Sequence, residues 1–236
     1  MIYDTLRIGM GVAPDFPGGC GSFADVANKE ELPFFNIRNS SEVGLAYTNV
    51  TSKDKTPWPF YLESLGVRFH LPDPFKLDEA RVTSGNLAMA KMFETMLPDH
   101  MWGEFSIRED VRLIIKPSMC PPGYGPYGAM IMNLPVAPGV ASSTFSSGEP
   151  VNTNRWKWVG ADLEIPRDTP IKFVLKMSAY AKLLLKAMDT LPVLAFTTPA
   201  DPDTGARSPL DLVNEAHIEV TLRGKREVQQ RGDYHV

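Results

Sequence analysis

The 236-residue sequence predicts an all-β fold, an antiparallel β-sandwich with two short helices inserted between its strands. Four segments alternate apolar and polar side chains with the two-residue period of a strand: residues 65–71, 105–115, 159–177 and 216–222. The 21 prolines and 18 glycines suit the many turns that separate short strands. Strands and helices do not alternate regularly along the chain, so a parallel α/β sheet is not expected.

The stretch from residue 156 to residue 177 carries the clearest pattern. In its first half, four apolar side chains share one face: Val159, Ala161, Leu163 and Ile165. Two acidic side chains, Asp162 and Glu164, point to the other face. After a turn the alternation resumes, with the apolar residues Ile171, Phe173, Leu175 and Met177 on one face. Lys172 and Lys176 lie on the opposite face. We interpret the stretch as a hairpin with one apolar face and one polar face. The apolar face needs a second sheet to cover it, which predicts a sandwich.

The remaining elements are interpreted in chain order. Residues 1–31 predict an extended arm, because residues 11–24 contain too much Gly and Pro for a regular element. Helices are expected at residues 84–97, with Ser84 as N-cap and Pro98 as the stop, and at 178–192, where a continued strand is the alternative. Residues 135–155 are either a surface loop or a linker, and residues 224–236 form a polar tail. Shorter strands or apolar runs are expected at residues 34–38, 43–47, 129–134 and 194–197.

The composition is that of one globular domain spanning residues 1–236, with 43% hydrophobic and 22% charged residues. The net charge is −4 and neither end carries a basic run, so strong binding to nucleic acid is not expected. The N-terminus lacks the pattern of a signal peptide, and no apolar run reaches the roughly 18 residues of a membrane span. Cys20 and Cys120 are interpreted as reduced thiols, with a disulfide as the alternative.

No catalytic or cofactor motif is found in the sequence, so neither an enzymatic activity nor a cofactor is predicted. The four histidines are dispersed and lack the spacing of a metal site: His70, His100, His217 and His235. Asp201 and Asp203 begin an oxygen cage of the kind that binds Ca²⁺. The calcium-loop pattern then fails, because Gly205 and Leu212 stand where further ligands are needed. An acidic turn is the simpler interpretation of this segment.

The alternating runs at residues 65–71, 105–115, 159–177 and 216–222, with helices placed between strands, resemble the jelly-roll coat proteins of tailless icosahedral viruses, bacteriophages in particular. The resemblance covers the whole chain as a pattern of elements and transfers no individual residue. It implies a jelly-roll sandwich and a structural subunit of the virion, made in the host cytoplasm. Its implied partners are copies of itself and other virion proteins. The chain departs from small capsid proteins that hold the genome through a basic arm, which suits a capsid whose interior is lined by something else.

Subunit contacts in such a protein are expected from apolar and aromatic loop residues, since these side chains are enriched at interface cores. The candidates are Phe16, Phe23, Trp58, Tyr124, Tyr127 and Phe145. The alternative is that they only cap the ends of the sandwich.

Two other functions stay open. One is a carbohydrate- or ligand-binding module with stacking platforms at Trp58, Trp102, Trp156 and Trp158. The other is a metal-dependent jelly-roll enzyme.

Nucleic-acid binding tests the charge argument directly. With a net charge of −4 and no basic segment, contact with phosphate releases few counterions, so we expect any affinity to vanish at physiological salt. Fluorescence anisotropy with single- and double-stranded DNA, from low to physiological salt, measures this. Salt-resistant binding would contradict the prediction and would indicate a basic patch assembled from residues distant in sequence.

Overall fold

The computed structural model describes residues 1–9, 21–35, 45, 47–50, 55–56, 58–70, 92–119, 130–133, 142–145, 156–157, 163–190 and 215–226. The strands in these residues are β1 (Ile2–Gly9), β2 (Glu31–Phe34), β3 (Phe60–His70), β4 (Met101–Ile107), β5 (Asp110–Ile115), β6 (Met130–Asn133), β7 (Ser142–Phe145), β8 (Trp156–Lys157), β9 (Leu163–Ile165), β10 (Ile171–Met177) and β11 (Glu215–Arg226). The α-helices are α1 (Phe23–Ala27), α2 (Leu97–Asp99) and α3 (Ala179–Thr190). A π-helical turn, Met92–Met96, precedes α2, and a 3₁₀ turn, Pro117–Met119, follows β5.

The strands form two antiparallel sheets and one separate pair. Sheet A has the order β1-β11-β3, and β8 and β9 both pair with the far side of β3. Sheet B has the order β2-β10-β4-β5. β6 and β7 pair only with each other among the described strands. The prediction of a mostly β fold with two antiparallel sheets and a few short helices is therefore confirmed.

The core lies between the inner faces of the two sheets. β11 contributes four fully buried side chains from alternate positions, which are Ala216, Ile218, Val220 and Leu222. Sheet B contributes a set of buried phenylalanines, in which the rings of Phe34 and Phe173 are 6.1 Å apart in an edge-to-face arrangement. Gly103 on β4 lies beneath the Phe173 ring, and a Cβ at this position would overlap it. The apolar alternation predicted for residues 171–177 and 216–222 is confirmed at each of these positions.

Two helices close one end of the sandwich. α1 begins with a capping box, in which Ser22 and Asp25 satisfy each other's backbone N–H groups. Phe23 packs edge-to-face on Phe93 at 5.7 Å between ring centroids, so α1 is tied to the π-helical turn. α3 packs against α1 with its apolar face, and Ser178 Oγ accepts from Ala181 N at its start. The helix expected at residues 178–192 is confirmed, whereas a continued strand is not found.

The hairpin expected for residues 156–177 is wrong, although the predicted phase is right for the apolar side chains described between residues 163 and 177. β9 pairs with β3 in sheet A, while β10 pairs with β2 and β4 in sheet B. The intervening turn therefore carries the chain from one sheet to the other. Thr56 is fully buried at this crossing, where Thr56 Oγ1 donates to Pro166 O at 2.7 Å and Thr56 N donates to Thr169 O at 3.1 Å. Alternation fixes which face is buried but leaves the partner strand undetermined.

Residues 105–115 were expected to form one continuous strand, and they form the end of β4 and the whole of β5 instead. The chain reverses at Arg108, which adopts a left-handed conformation with φ of 57°. Arg108 N donates to Pro170 O at 2.7 Å, so the turn is anchored to the crossing between the sheets. An Arg in this conformation is uncommon, which explains why the sequence did not indicate a turn here.

Three further segments differ from their expectation. Residues 2–9 lie in sheet A and residues 31–34 in sheet B, where an arm was expected for residues 1–31. Only residues 92–97 of the helix expected at 84–97 are described. They form a π-helical turn and the start of α2, and Pro98 lies inside α2. Residues 142–145, expected as loop or linker, form β7. The runs at residues 34–38, 43–47 and 129–134 are only partly described, and the one at 194–197 lies outside the described residues.

Phe173 is expected to dominate the stability of sheet B. Its ring is fully buried between the sheets, so Phe173→Ala should lower the free energy of unfolding by about 3–5 kcal/mol. Lys172→Ala, at the neighbouring position on the outer face, is the matched control and should change it by less than about 0.5 kcal/mol. Chemical denaturation of both variants measures this. Equal stabilities would contradict the buried position of Phe173.

Candidate interaction surface

The residues predicted as contacts do not come together into a site in the described part of the chain. Phe23 is 1% exposed and belongs to the core. Trp58 is partly buried and packs against the same core. Phe145 lies in β7, and nothing is described of its side chain. The other predicted residues lie outside the described ranges, and these are Phe16, Tyr124, Tyr127, Asp201 and Asp203. Their roles stay predictions.

A different group of apolar side chains is exposed on and beside the β4–β5 hairpin. Trp102 is 37% exposed, Val111 53%, Ile114 65% and Met119 67%. These four, here called the β4–β5 surface, are half of the eight large exposed hydrophobic residues found in the described part of the chain. Exposed apolar side chains that are scattered singly need no explanation, whereas four on and beside one hairpin form a candidate contact surface.

A bulge explains why two residues of β5 point outwards. Ile114 pairs with Glu104, and Val111 pairs with Ser106, although three positions separate Ile114 from Val111 on β5 and two separate their partners on β4. The extra residue places Val111 and Ile114 on the same face of the sheet. The alternation of residues 105–115 places Val111 on the apolar face with Leu113 and Ile115, and without the bulge Val111 would point inwards as this pattern predicts.

Charged side chains occupy the middle of the same outer face. Lys176 Nζ lies 2.7 Å from Glu104 Oε2, with the two side chains 35% and 23% exposed. Trp102 Nε1 donates to Glu104 Oε1 at 3.4 Å, so the indole is held beside this ion pair. The hydrogen bond from Lys176 is the main cause that lowers the pKa of Glu104 below its ordinary value of 4.5. The face therefore combines a charged centre with an apolar edge at β5.

A second, smaller exposed group lies on α3. Tyr180 and Leu183 are one turn apart on this helix and are exposed. The ring of His100 packs edge-to-face against Tyr180 with 4.4 Å between centroids. Helix packing explains this pattern, because the opposite face of α3 carries Ala181 and Leu185 into the core.

The described residues offer neither a metal centre nor a membrane helix. They contain no group of three or more His, Cys, Asp and Glu side chains arranged to hold a metal ion. No helix among them is long and apolar enough to cross a membrane.

The Glu104–Lys176 pair makes a prediction about pH. Because the pKa of Glu104 is lowered in the folded state, the pair stabilises the fold above pH 4.5 and loses this contribution as pH falls through the lowered value. For a partly exposed pair the effect is small, about 0.2–1 kcal/mol. Carbon-detected NMR titration of Glu104 should show its pKa rising in Lys176→Met and rising less in the control Lys172→Met. An unchanged pKa in Lys176→Met would contradict the contact.

Comparison with known proteins adds no relative. No protein-family model matches the chain. No curated protein and no solved structure matches it either. The function of this chain therefore has to be inferred from its strand pairing and its surfaces.

Proposed function

We propose that the two sheets form a jelly roll and that the protein is a structural subunit of a virion, acting through contacts between subunits. Its location would be the virion, and its partners would be copies of itself and other virion proteins. The proposal includes no catalytic role. One observation carries it, namely the order in which the strands pair.

The pairing follows that of a ribbon of paired strands rolled into a sandwich. If β8 and β9 are two parts of one strand and β6–β7 is an insertion, the sandwich has eight strands. The first pairs with the eighth, the second with the seventh, the third with the sixth and the fourth with the fifth. Rolling the ribbon also brings the eighth strand beside the third and the seventh beside the fourth, as in β11–β3 and β10–β4. An eight-stranded, two-sheet arrangement of this kind is typical of jelly rolls.

Jelly rolls serve as viral capsid subunits, as lectins and as cupins, so the surface has to distinguish among them. The β4–β5 surface supports the capsid function. It is apolar and includes Trp102 and Met119, and aromatic and Met side chains are enriched at the cores of protein interfaces. An exposed strand edge suits contact with another protein better than enclosure of a small molecule, since small-molecule sites are concave.

Binding of a carbohydrate or another polar ligand is the second candidate function. It is favoured by Trp102, whose exposed indole lies beside the Glu104 carboxylate and the Lys176 ammonium. An aromatic face with polar groups at its edge can stack on a sugar ring and orient its hydroxyls. The outer face of sheet B is the place where such a ligand would bind.

The mass of the full-length chain in solution separates the two functions. A virion subunit should form defined oligomers or shells as concentration rises, detected by size exclusion with light scattering and by electron microscopy. A ligand-binding module should stay monomeric and bind glycans on an array, with binding lost in Trp102→Ala and retained in the control Tyr180→Ala. A monomer at every concentration, with glycan binding that depends on Trp102, would overturn the virion function.

A further inference from the structure

The described sheet edges differ in how they are protected against pairing with another chain. β1, an edge of sheet A, is covered by residues 47–50: Tyr3 N donates to Asn49 Oδ1 at 2.8 Å, and Asn49 N donates to Tyr3 O at 3.3 Å. β2, an edge of sheet B, contains Pro33, which has no backbone N–H to offer a further strand. β5, the opposite edge of sheet B, carries no proline and pairs with β4 alone among the described strands.

The exposed side chains of β5 are those of a contact rather than of a protected edge. Natural edges are commonly blunted by bulges and charges, and β5 has a bulge and the Asp110–Arg112 ion pair at 3.0 Å. The bulge, however, presents both Val111 and Ile114 on the outer face, at 53% and 65% exposure. Two exposed β-branched apolar side chains do not protect a strand edge against pairing with other chains, whereas they would stabilise a contact with one.

The charged residues at the two ends of β5 have opposite signs, so two antiparallel copies of the strand would be electrostatically complementary. Two acidic residues stand at its start, Glu109 in the turn just before β5 and Asp110 as its first residue, and a basic residue, Lys116, stands just after its end. Two copies of β5 placed antiparallel therefore bring the acidic end of each beside the basic end of the other. A parallel arrangement would place like charges together, which is destabilising.

We propose that β5 pairs antiparallel with β5 of a second copy of the chain about a twofold axis, with Val111 of one copy opposite Ile114 of the other. In this register both apolar pairs lie on the joined outer face, and Glu109 of each copy lies opposite Lys116 of the other. The contact is isologous, since the same surface is used by both subunits. The inference deepens the proposed function and rests on it in expecting self-association.

Substitution of the apolar pair tests the contact in the full-length chain. Val111→Lys with Ile114→Lys places lysines opposite each other across the twofold axis and should weaken association at least about tenfold, measured by sedimentation at several concentrations. Leu183→Lys on α3 is the matched control, because Leu183 is 63% exposed on a helix that packs mainly on α1, β10 and the π-helical turn. The control should associate like the unmodified chain, and all three proteins should share one melting temperature.

The register has its own test by charge exchange. Lys116→Glu alone and Glu109→Lys alone should each weaken association, because each creates two like-charge pairs across the axis. The double variant restores opposite charges and should recover most of the affinity. In a background with Cys20→Ser and Cys120→Ser, a mixture of Val111→Cys and Ile114→Cys chains should form a disulfide-linked dimer, and neither chain alone should do so.

The outcomes separate this contact from the proposed function. A chain that dimerises through β5 but never grows beyond a dimer retains the contact and overturns the virion function. Shells that still form with lysines at residues 111 and 114 retain the function and overturn the contact. The contact is also overturned if the unmodified chain stays monomeric, or if Leu183→Lys weakens association as much as the β5 variant does.

Discussion

The packing of Phe173 against Gly103 is the contact on which the geometry of sheet B depends. The ring fills the space that a side chain at residue 103 would occupy, and it also meets Phe34 edge-to-face. These two contacts fix the position of β10 against both strands that it pairs with, β4 on one side and β2 on the other. A slip of one residue along β4 would place a side chain under the ring and turn the apolar face of the strand towards water. The same register places Glu104 and Lys176 close together on the outer face of the sheet.

The two sheets are joined by a second constraint, which is polar and buried. Thr56 bonds to both sides of the turn between β9 and β10, and the same turn accepts the backbone N–H of Arg108. Buried backbone groups at a crossing between sheets have no ladder to join, so a side chain inserted from elsewhere in the chain is needed to satisfy them. Because Arg108 begins the return of the chain into β5, the exposed edge is positioned by the same group that closes the sandwich.

The sequence reveals much of the core and little of the surface site. The burial of β10 and β11 follows from alternation, because side-chain direction is a local property of an extended chain. The pairing of β9 with β3 does not follow, since partners about a hundred residues apart leave no local trace. The exposure of Val111 was missed because one extra residue inverts the pattern, and nothing in DVRLII distinguishes a bulged strand from a regular one. Phe23, a contact candidate because it is an aromatic residue in an expected loop, lies in α1, where its buried ring packs on Phe93.

The position of β11 has a consequence for the order in which the molecule forms during synthesis. Sheet B is complete in sequence once residue 177 has been made, whereas sheet A lacks its central strand until residues 215–226 have been made. At about 5–20 residues per second, β1 waits many seconds for the strand that covers it, because Ile2 pairs with Leu222. During that interval its apolar face is available to other nascent chains on the same message. The ribosome-bound stage is therefore the stage at which the apolar side chains of β1 are least protected from wrong contacts.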